Sequence, residues 1–197
     1  MKYITYFIFF AFVALLLFFL KNALEPTKEP VIITGSQKCG ECHSLKNLGD
    51  QQSVWEKSRH WESYKILLTE KAVSFASKNN LEAPHNNTLC LKCHTTEFSL
   101  KDFDKSPVYD INEGIGCESC HGAGSNYYPA ELHKEESEFK RNGGIVGDES
   151  TCKSCHSPKG NPEQKISEDV CPFQTEDFIY KTAFEKIKHP LNKDNFK

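Results

Sequence analysis

Four copies of one short pattern constrain this 197-residue chain more than any other feature of its sequence. Each copy reads C-x-x-C-H, the pattern in which two thiols attach a c-type haem and the next histidine binds its iron. A structural zinc site or a disulfide framework would leave the histidine after every cysteine pair unexplained. The sequence therefore predicts four covalently attached haem c groups. The cofactor-binding cysteines are Cys39, Cys42, Cys90, Cys93, Cys117, Cys120, Cys152 and Cys155, and the motif histidines that bind iron are His43, His94, His121 and His156.

The second axial position of each iron has few candidate ligands. Methionine is excluded within the haem domain, because Met1 is the only methionine. The histidines outside the motifs are His60, His85, His133 and His189, so two histidines per iron are possible. Three of them are favoured as ligands, whereas His85, in the sequence APHNN, is expected to be an exposed loop residue. An iron that lacked its second ligand would be open to small molecules.

The N-terminus carries a hydrophobic run, residues 3–20, that contains no charged side chain. As a helix this run would be about 27 Å long, close to the thickness of the hydrocarbon core of a bilayer. We expect a membrane anchor at 1–22, a linker at 23–35 and a tetrahaem domain at 36–197, facing the periplasm or the cell exterior. A cleaved signal peptide is the alternative, although no A-x-A-like site follows the run.

The predicted fold class is mostly α with extensive loops. Apolar periodicity predicts a helix over residues 53–78, with His60, Tyr64, Leu67 and Leu68 on one face. Further helices are expected from Pro129 to just before Gly143 and from Thr175 to Lys188. Four haems in about 160 residues leave little side-chain core, so closely packed macrocycles must supply much of the buried apolar surface.

Composition excludes some partners. The formal charge is −3, with 24 basic and 27 acidic residues, and no basic tract indicates nucleic-acid binding.

Cys171 is the ninth cysteine and belongs to no motif; a small, partly buried residue is the favoured interpretation of it.

Three segments together resemble the tetrahaem cytochrome c-554 family, also called the cytochrome c-552/4 domain. They are W-E-K-S-x-H at 55–60, G-x-G-C-E-S-C-H-G-A-G-S at 114–125 and A-F-E-K-I-K-H-P at 183–190, so that the resemblance covers residues 36–190. It implies closely packed haems in a mostly helical domain that transfers electrons outside the cytoplasm. Relatives often place a ligand histidine shortly after the C-H-G-x-G segment, where this chain has Asn126, Tyr127 and Tyr128. Either the helix predicted from Pro129 supplies this ligand from a different place, through His133, or one iron near this stretch is open.

Three functions are consistent with these features. The favoured one is a membrane-anchored electron carrier of a respiratory chain, working between redox protein partners. The second is an enzyme that acts on a small nitrogen compound at a five-coordinate haem. The third is a haem-bearing structural subunit of a larger redox complex.

Overall fold

A computed structural model of the chain describes residues 29–156 and 178–189, together with positions 3, 6, 10 and 12–17. The chain divides into two compact units, Met1–Pro30 and Val31–Lys197. In the first unit, residues 12–17 are helical. None of the helices built from described residues combines the length and the hydropathy that crossing a bilayer requires. Most of the predicted anchor, the first part of the predicted linker and Cys171 lie outside the described residues.

The second unit is built from short helices joined by turns, which confirms the mostly helical fold with extensive loops. Short 3-10 turns at Lys46–Leu48, Ile111–Glu113, Gly124–Asn126 and Ala130–Leu132 lie between the helices. The helices are α1 (Ser36–His43), α2 (Gln51–Glu56), α3 (Ser63–Leu67), α4 (Glu70–Lys78), α5 (Thr88–His94), α6 (Thr96–Ser99), α7 (Glu118–His121), α8 (Glu136–Arg141), α9 (Glu149–His156) and α10 (Tyr180–Ile187).

The side-chain core of this unit is small, as the sequence predicts for a chain that depends on its cofactors. A two-residue strand, β1 (Ile32–Ile33), pairs in parallel with β2 (Asp104–Lys105). Ile33 is fully buried there, and the extended strand leads directly into α1. The other buried apolar side chains in the described part of the chain are Leu67, Ala76, Leu91, Ile115, Ala123 and Tyr127.

The prediction of a single helix over residues 53–78 is wrong. The structure has three helices there, α2 to α4, and the shared apolar face is lost because Leu67 is buried while Leu68 is 51% exposed. The first break follows α2, where the Trp55 indole donates a hydrogen bond to the carbonyl oxygen of Ile115 (2.8 Å). The second break lies at Thr69, whose hydroxyl accepts from the amide of Ala72 (3.3 Å) and caps α4. Local periodicity reveals neither the tertiary hydrogen bond of Trp55 nor the capping hydrogen bond of Thr69.

The other two predicted helices are shorter than expected. The helix predicted from Pro129 is a 3-10 turn followed by α8, and His133 lies between these two elements rather than on a helix. The predicted end before Gly143 is close to the observed end of α8 at Arg141. In the last helix, α10 begins at Tyr180, and Thr175 lies outside the described residues.

Candidate haem sites

Each motif histidine is the last residue of a helix. The helices α1, α5, α7 and α9 end at His43, His94, His121 and His156, which name the first, second, third and fourth sites below. Residues i, i+3 and i+4 of a helix share one face, so the two thiols and the ring of a motif point to the same side. None of the eight motif cysteines forms a disulfide bond. Local helical geometry alone therefore brings together the two cysteines and the histidine of every motif.

Hydrogen bonds to ring nitrogen Nδ1 orient several of the histidines. An imidazole whose Nδ1–H donates to an oxygen keeps the lone pair of Nε2 free to bind a metal. In this form the ring is also prevented from rotating away from the metal. Such donations run from His43 to Gln51 Oε1 (3.1 Å), and to the carbonyl oxygens of Ser63 from His94 (2.7 Å), Ile145 from His121 (3.0 Å), Pro129 from His133 (3.1 Å) and Ile187 from His189 (3.3 Å).

Three motif histidines face a second histidine ring at one common distance. Imidazole nitrogen binds first-row metals at about 2 Å, so one iron between two rings separates their centroids by about 6 Å. The observed spacing matches this requirement, and the chemistry of the donor set fits haem iron. The ring centroids are 5.9 Å apart in the pairs His43–His133, His121–His189 and His156–His60.

The second site differs from the other three. Among the described residues, His94 has no ring contact with another histidine. His85 is not the exposed loop residue that the sequence predicts, because its Nδ1 atom is buried and lacks a hydrogen-bond partner within the described structure. The structure therefore brings three of the four candidate distal histidines to a motif histidine, and His85 is the one that it does not.

Burial favours the neutral form of several of the candidate ligand histidines. Burial lowers the pKa of His60 to about 4, and the neighbouring His156 ring acts in the same direction. Burial also lowers the pKa of His43, His94 and His121. Neutral imidazole is the form that binds iron, so these sites are prepared to bind iron at neutral pH.

Contacts between thiols group the four sites. Cys39 of the first site lies close enough to Cys117 of the third for each to shift the pKa of the other, and Cys93 of the second site likewise shifts the pKa of Cys155 of the fourth. Cys120 of the third site lies close enough to the fourth for its pKa to be raised by the charge of Cys152, after the larger effect of burial. The attachment points therefore follow one another in the spatial order first, third, fourth, second.

A cavity of about 900 Å³ joins the second and fourth sites. Its wall includes the thiols of both motifs and the rings of His94, His156 and His60. Apolar side chains from α3, α4 and α10 make up much of the remaining wall, with the basic residues Lys57, Arg59 and Lys186 among them. An apolar wall with a few cationic side chains fits two haem macrocycles and their propionate groups.

The family described as "Cytochrome c554 and c-prime" matches residues 38–122, a range that contains the first three motifs. Part of the chain is therefore similar to the cytochrome c554 family. It is 25% identical over 171 residues to "Cytochrome c-554" of Nitrosomonas europaea, in an alignment that covers 78% of this chain and 70% of that protein. No solved structure matches the chain. These matches agree with the resemblance seen in the sequence, and a cytochrome c family implies covalently bound haem c.

The family stretch around the third motif contains two buried carboxylates that the sequence did not single out. Glu118, between the two motif cysteines, is fully buried and accepts hydrogen bonds from the amides of Thr34 (2.7 Å), Gly35 (2.7 Å) and Gly124 (2.6 Å). Glu113 is 5% exposed and accepts from the amide of Ser36 (2.9 Å). Burial raises the pKa of Glu113 to about 7. The glycines that flank these carboxylates were the available sequence signal, because glycine allows another backbone segment to approach closely.

Two tyrosines occupy the stretch where relatives often have a ligand histidine. Tyr127 is buried, donates a hydrogen bond to the carbonyl oxygen of Gly122 (2.6 Å) and packs edge-on against Phe139 with ring centroids 4.8 Å apart. The nearby motif histidine, His121, nevertheless faces His189. His121 therefore has a second histidine ring beside it, and among the described residues the motif histidine without one is His94 of the second site.

Proposed function

We propose that this cytochrome carries four haems c and transfers electrons between two redox proteins outside the cytoplasm. The observation that carries the proposal is the set of three histidine pairs with ring centroids 5.9 Å apart. An iron with both axial positions occupied by histidine has no position for a substrate and is suited to electron transfer. Ligation without methionine favours low reduction potentials, as the sequence count also indicates.

The residues that would hold each haem are the two thiols of its motif, as thioethers, and the motif histidine. The distal ligands would be His133 at the first site, His189 at the third and His60 at the fourth. When bound, a haem supplies an iron centre that exchanges one electron. The chain orients the ligand rings through acceptors at Nδ1 and surrounds the second and fourth sites with apolar wall.

Proximity of the sites supports a continuous path through the domain. The neighbouring cysteines Cys39 and Cys117 belong to the first and third sites, and Cys93 and Cys155 to the second and fourth. Cys120 and Cys152 connect the two groups. We therefore propose that electrons traverse the sites in the order first, third, fourth, second, or in its reverse.

An N-terminal anchor at residues 1–22 would hold the domain at a membrane, with the haem domain in the periplasm or at the cell exterior. The uncharged run at 3–20 supports this proposal, because an uninterrupted apolar helix of this length inserts favourably into a bilayer. The anchor would keep the carrier close to the membrane-bound complexes of a respiratory chain. Fractionation of the full chain tests the location: recovery in the wash without detergent would contradict it.

The second candidate function is small-molecule chemistry at the second site. It is favoured by one observation, the lack of a described histidine ring facing His94. A five-coordinate iron there would bind a small ligand, such as a nitrogen oxide, on the side away from His94. The apolar cavity that contains His94 would limit access of water to that position.

Mass spectrometry and electron paramagnetic resonance of the oxidised holoprotein test the proposal. We expect the mass gain of four haems, with three low-spin ferric centres and one high-spin centre. Replacement of His133, His189 or His60 by alanine should each convert one low-spin centre to high spin. The matched control is His85→Ala, which should leave the spectrum unchanged.

Two results would contradict parts of these assignments. A mass gain other than four haems would disprove the tetrahaem assignment. Four low-spin centres, one of which is lost in His85→Ala, would show that His85 binds the second iron and would remove the enzyme candidate.

A further inference from the structure

Gln51 is the side chain that contacts the Nδ1 atom of His43, the motif histidine of the first site. At His94, His121, His133 and His189 the corresponding acceptor is a main-chain carbonyl oxygen. A main-chain acceptor is present whatever residue occupies the position, whereas a side-chain acceptor depends on the residue type. The first site is therefore one at which the identity of a single residue decides the hydrogen bond to an iron ligand.

Local structure orients the amide of Gln51 without ambiguity. Its Nε2 atom donates to the carbonyl oxygen of Leu48 (2.7 Å), which leaves Oε1 facing the ring of His43. Gln51 is the first residue of α2 and is 7% exposed. The turn before it reverses the chain at Gly49, which has a φ of 113°, and at Asp50, which caps α2 by accepting from the Ser53 amide. The amide oxygen is thus a buried and fixed acceptor.

An acceptor at Nδ1 changes the electronic properties of the ligand. Donation of the Nδ1 proton makes Nε2 more basic, and a more basic ligand stabilises ferric over ferrous iron. A carboxylate in the same place accepts more strongly than an amide, and a hydrocarbon side chain does not accept at all. The potential of the first site should therefore follow the strength of the acceptor at position 51.

We propose that Gln51 is a positioning residue that sets the reduction potential of the first haem through its hydrogen bond to His43. This inference rests on the proposed function, since it requires a haem bound at the first site. Any electron that enters or leaves through this site, one end of the proposed path, would meet a potential tuned by this bond. The residue acts through His43 and has no direct contact with the iron.

The test compares the holoprotein with two variants in reductive titrations followed by electron paramagnetic resonance. Gln51→Glu should lower the midpoint potential of the first haem below that of the wild type, and Gln51→Leu should raise it. Both variants lose the donation to Leu48, so the difference between them reports the acceptor and not the packing of the loop. The g values of the same low-spin centre should move in opposite directions in the two variants.

The matched control adds the same negative charge one residue away. The Gln52 side chain reaches α1 near Gly40, where a Cβ atom would lie 2.9 Å from Gln52 Oε1, and its Nε2 donates to Glu56. Gln52→Glu therefore reports the through-space effect of a carboxylate near the first site. We expect a smaller shift than in Gln51→Glu.

The outcomes separate the two proposals. Potentials that shift in the same direction in both Gln51 variants, or a Gln51→Glu shift no larger than that of Gln52→Glu, would overturn the role of Gln51 while leaving the tetrahaem carrier intact. Should Gln51→Leu not assemble, Gln51→Glu against wild type and Gln52→Glu decides the question alone. A protein that carries no haem at the first site by mass spectrometry of its Cys39–Cys42 peptide would instead contradict the proposed function.

Discussion

Replacement of Glu118 by glutamine should destabilise the domain, because its carboxylate links the third motif to the segment that precedes the first motif. Oε1 accepts from the amides of Thr34 and Gly124, and Oε2 accepts from the amide of Gly35. In the glutamine variant the amide oxygen retains the two amides at the Oε1 position. The NH2 group then faces the amide of Gly35, so one charge-assisted hydrogen bond is lost and two buried donors oppose each other.

The magnitude follows from these losses. A hydrogen bond to a charged group contributes about 1.5–3 kcal/mol, and an unsatisfied buried donor costs about 1–3 kcal/mol. Relief from burying a charge offsets part of this, since burial raises the pKa of Glu118. We therefore expect the free energy of unfolding to fall by about 3 kcal/mol at pH 7.

Denaturant unfolding of the holoprotein, followed by circular dichroism, measures this change as a lower midpoint at an unchanged m-value. The matched control is Glu41→Gln, since Glu41 also lies between two motif cysteines but is exposed, with an ion pair to Lys38 (2.7 Å). The control should stay within about 0.5 kcal/mol of the wild type. A Glu118→Gln midpoint equal to that of the control would refute the reasoning.

The remaining predictions concern neighbouring positions. Because the pKa of Glu113 is raised from 4.5 to about 7 in the folded state, its contribution is fully present below pH 4.5 and is lost as the pH rises through 7. The free energy of unfolding should fall by about 2 kcal/mol more between pH 5 and pH 7 in the wild type than in Glu113→Gln; parallel profiles would contradict the raised pKa. Gly114→Ala should lose the low-spin signal that depends on His60, because Gly114 has a φ of 65° and its Cβ would collide with Ser63 Oγ and lie 2.6 Å from the His60 carbonyl oxygen. The control is Gly143→Ala, which has a φ of 91° and no atom within 4 Å of a Cβ; equal effects on the spectrum would show that backbone strain alone is responsible.

Sequence reasoning succeeded where chemistry is encoded locally. The C-x-x-C-H spacing places the thiols and the ring of a motif on one helical face, and in the structure each motif does end a helix. The count of histidines against a single methionine likewise limited the possible ligands without any knowledge of the fold. The predicted mostly helical class follows from the same short-range patterns.

The pairing of the histidine rings could not be predicted from the sequence, because it depends on contacts between distant segments. His60 precedes His156 by nearly one hundred residues, yet their ring centroids lie 5.9 Å apart. His60 is held by its carbonyl oxygen, which accepts from the amides of Ile115 (3.1 Å) and Ser63 (3.2 Å). The bond from Ile115 joins distant segments of the chain, which periodicity along the sequence cannot reveal.

Buried polar side chains around the third motif explain why the candidate haem sites differ in how strongly the protein supports them. Glu118 and Glu113 hold the start of α1, and the amide of Cys117 donates to Ser36 Oγ (3.0 Å), so the first and third sites share one hydrogen-bonded framework. By contrast, α9 of the fourth site has no buried residue in the described structure. Its histidine instead packs against His60 and, with ring centroids 4.8 Å apart, Phe178. Apolar burial at the fourth site would therefore come largely from the macrocycle that its motif is proposed to bind, whereas the first and third sites have protein contacts that support them.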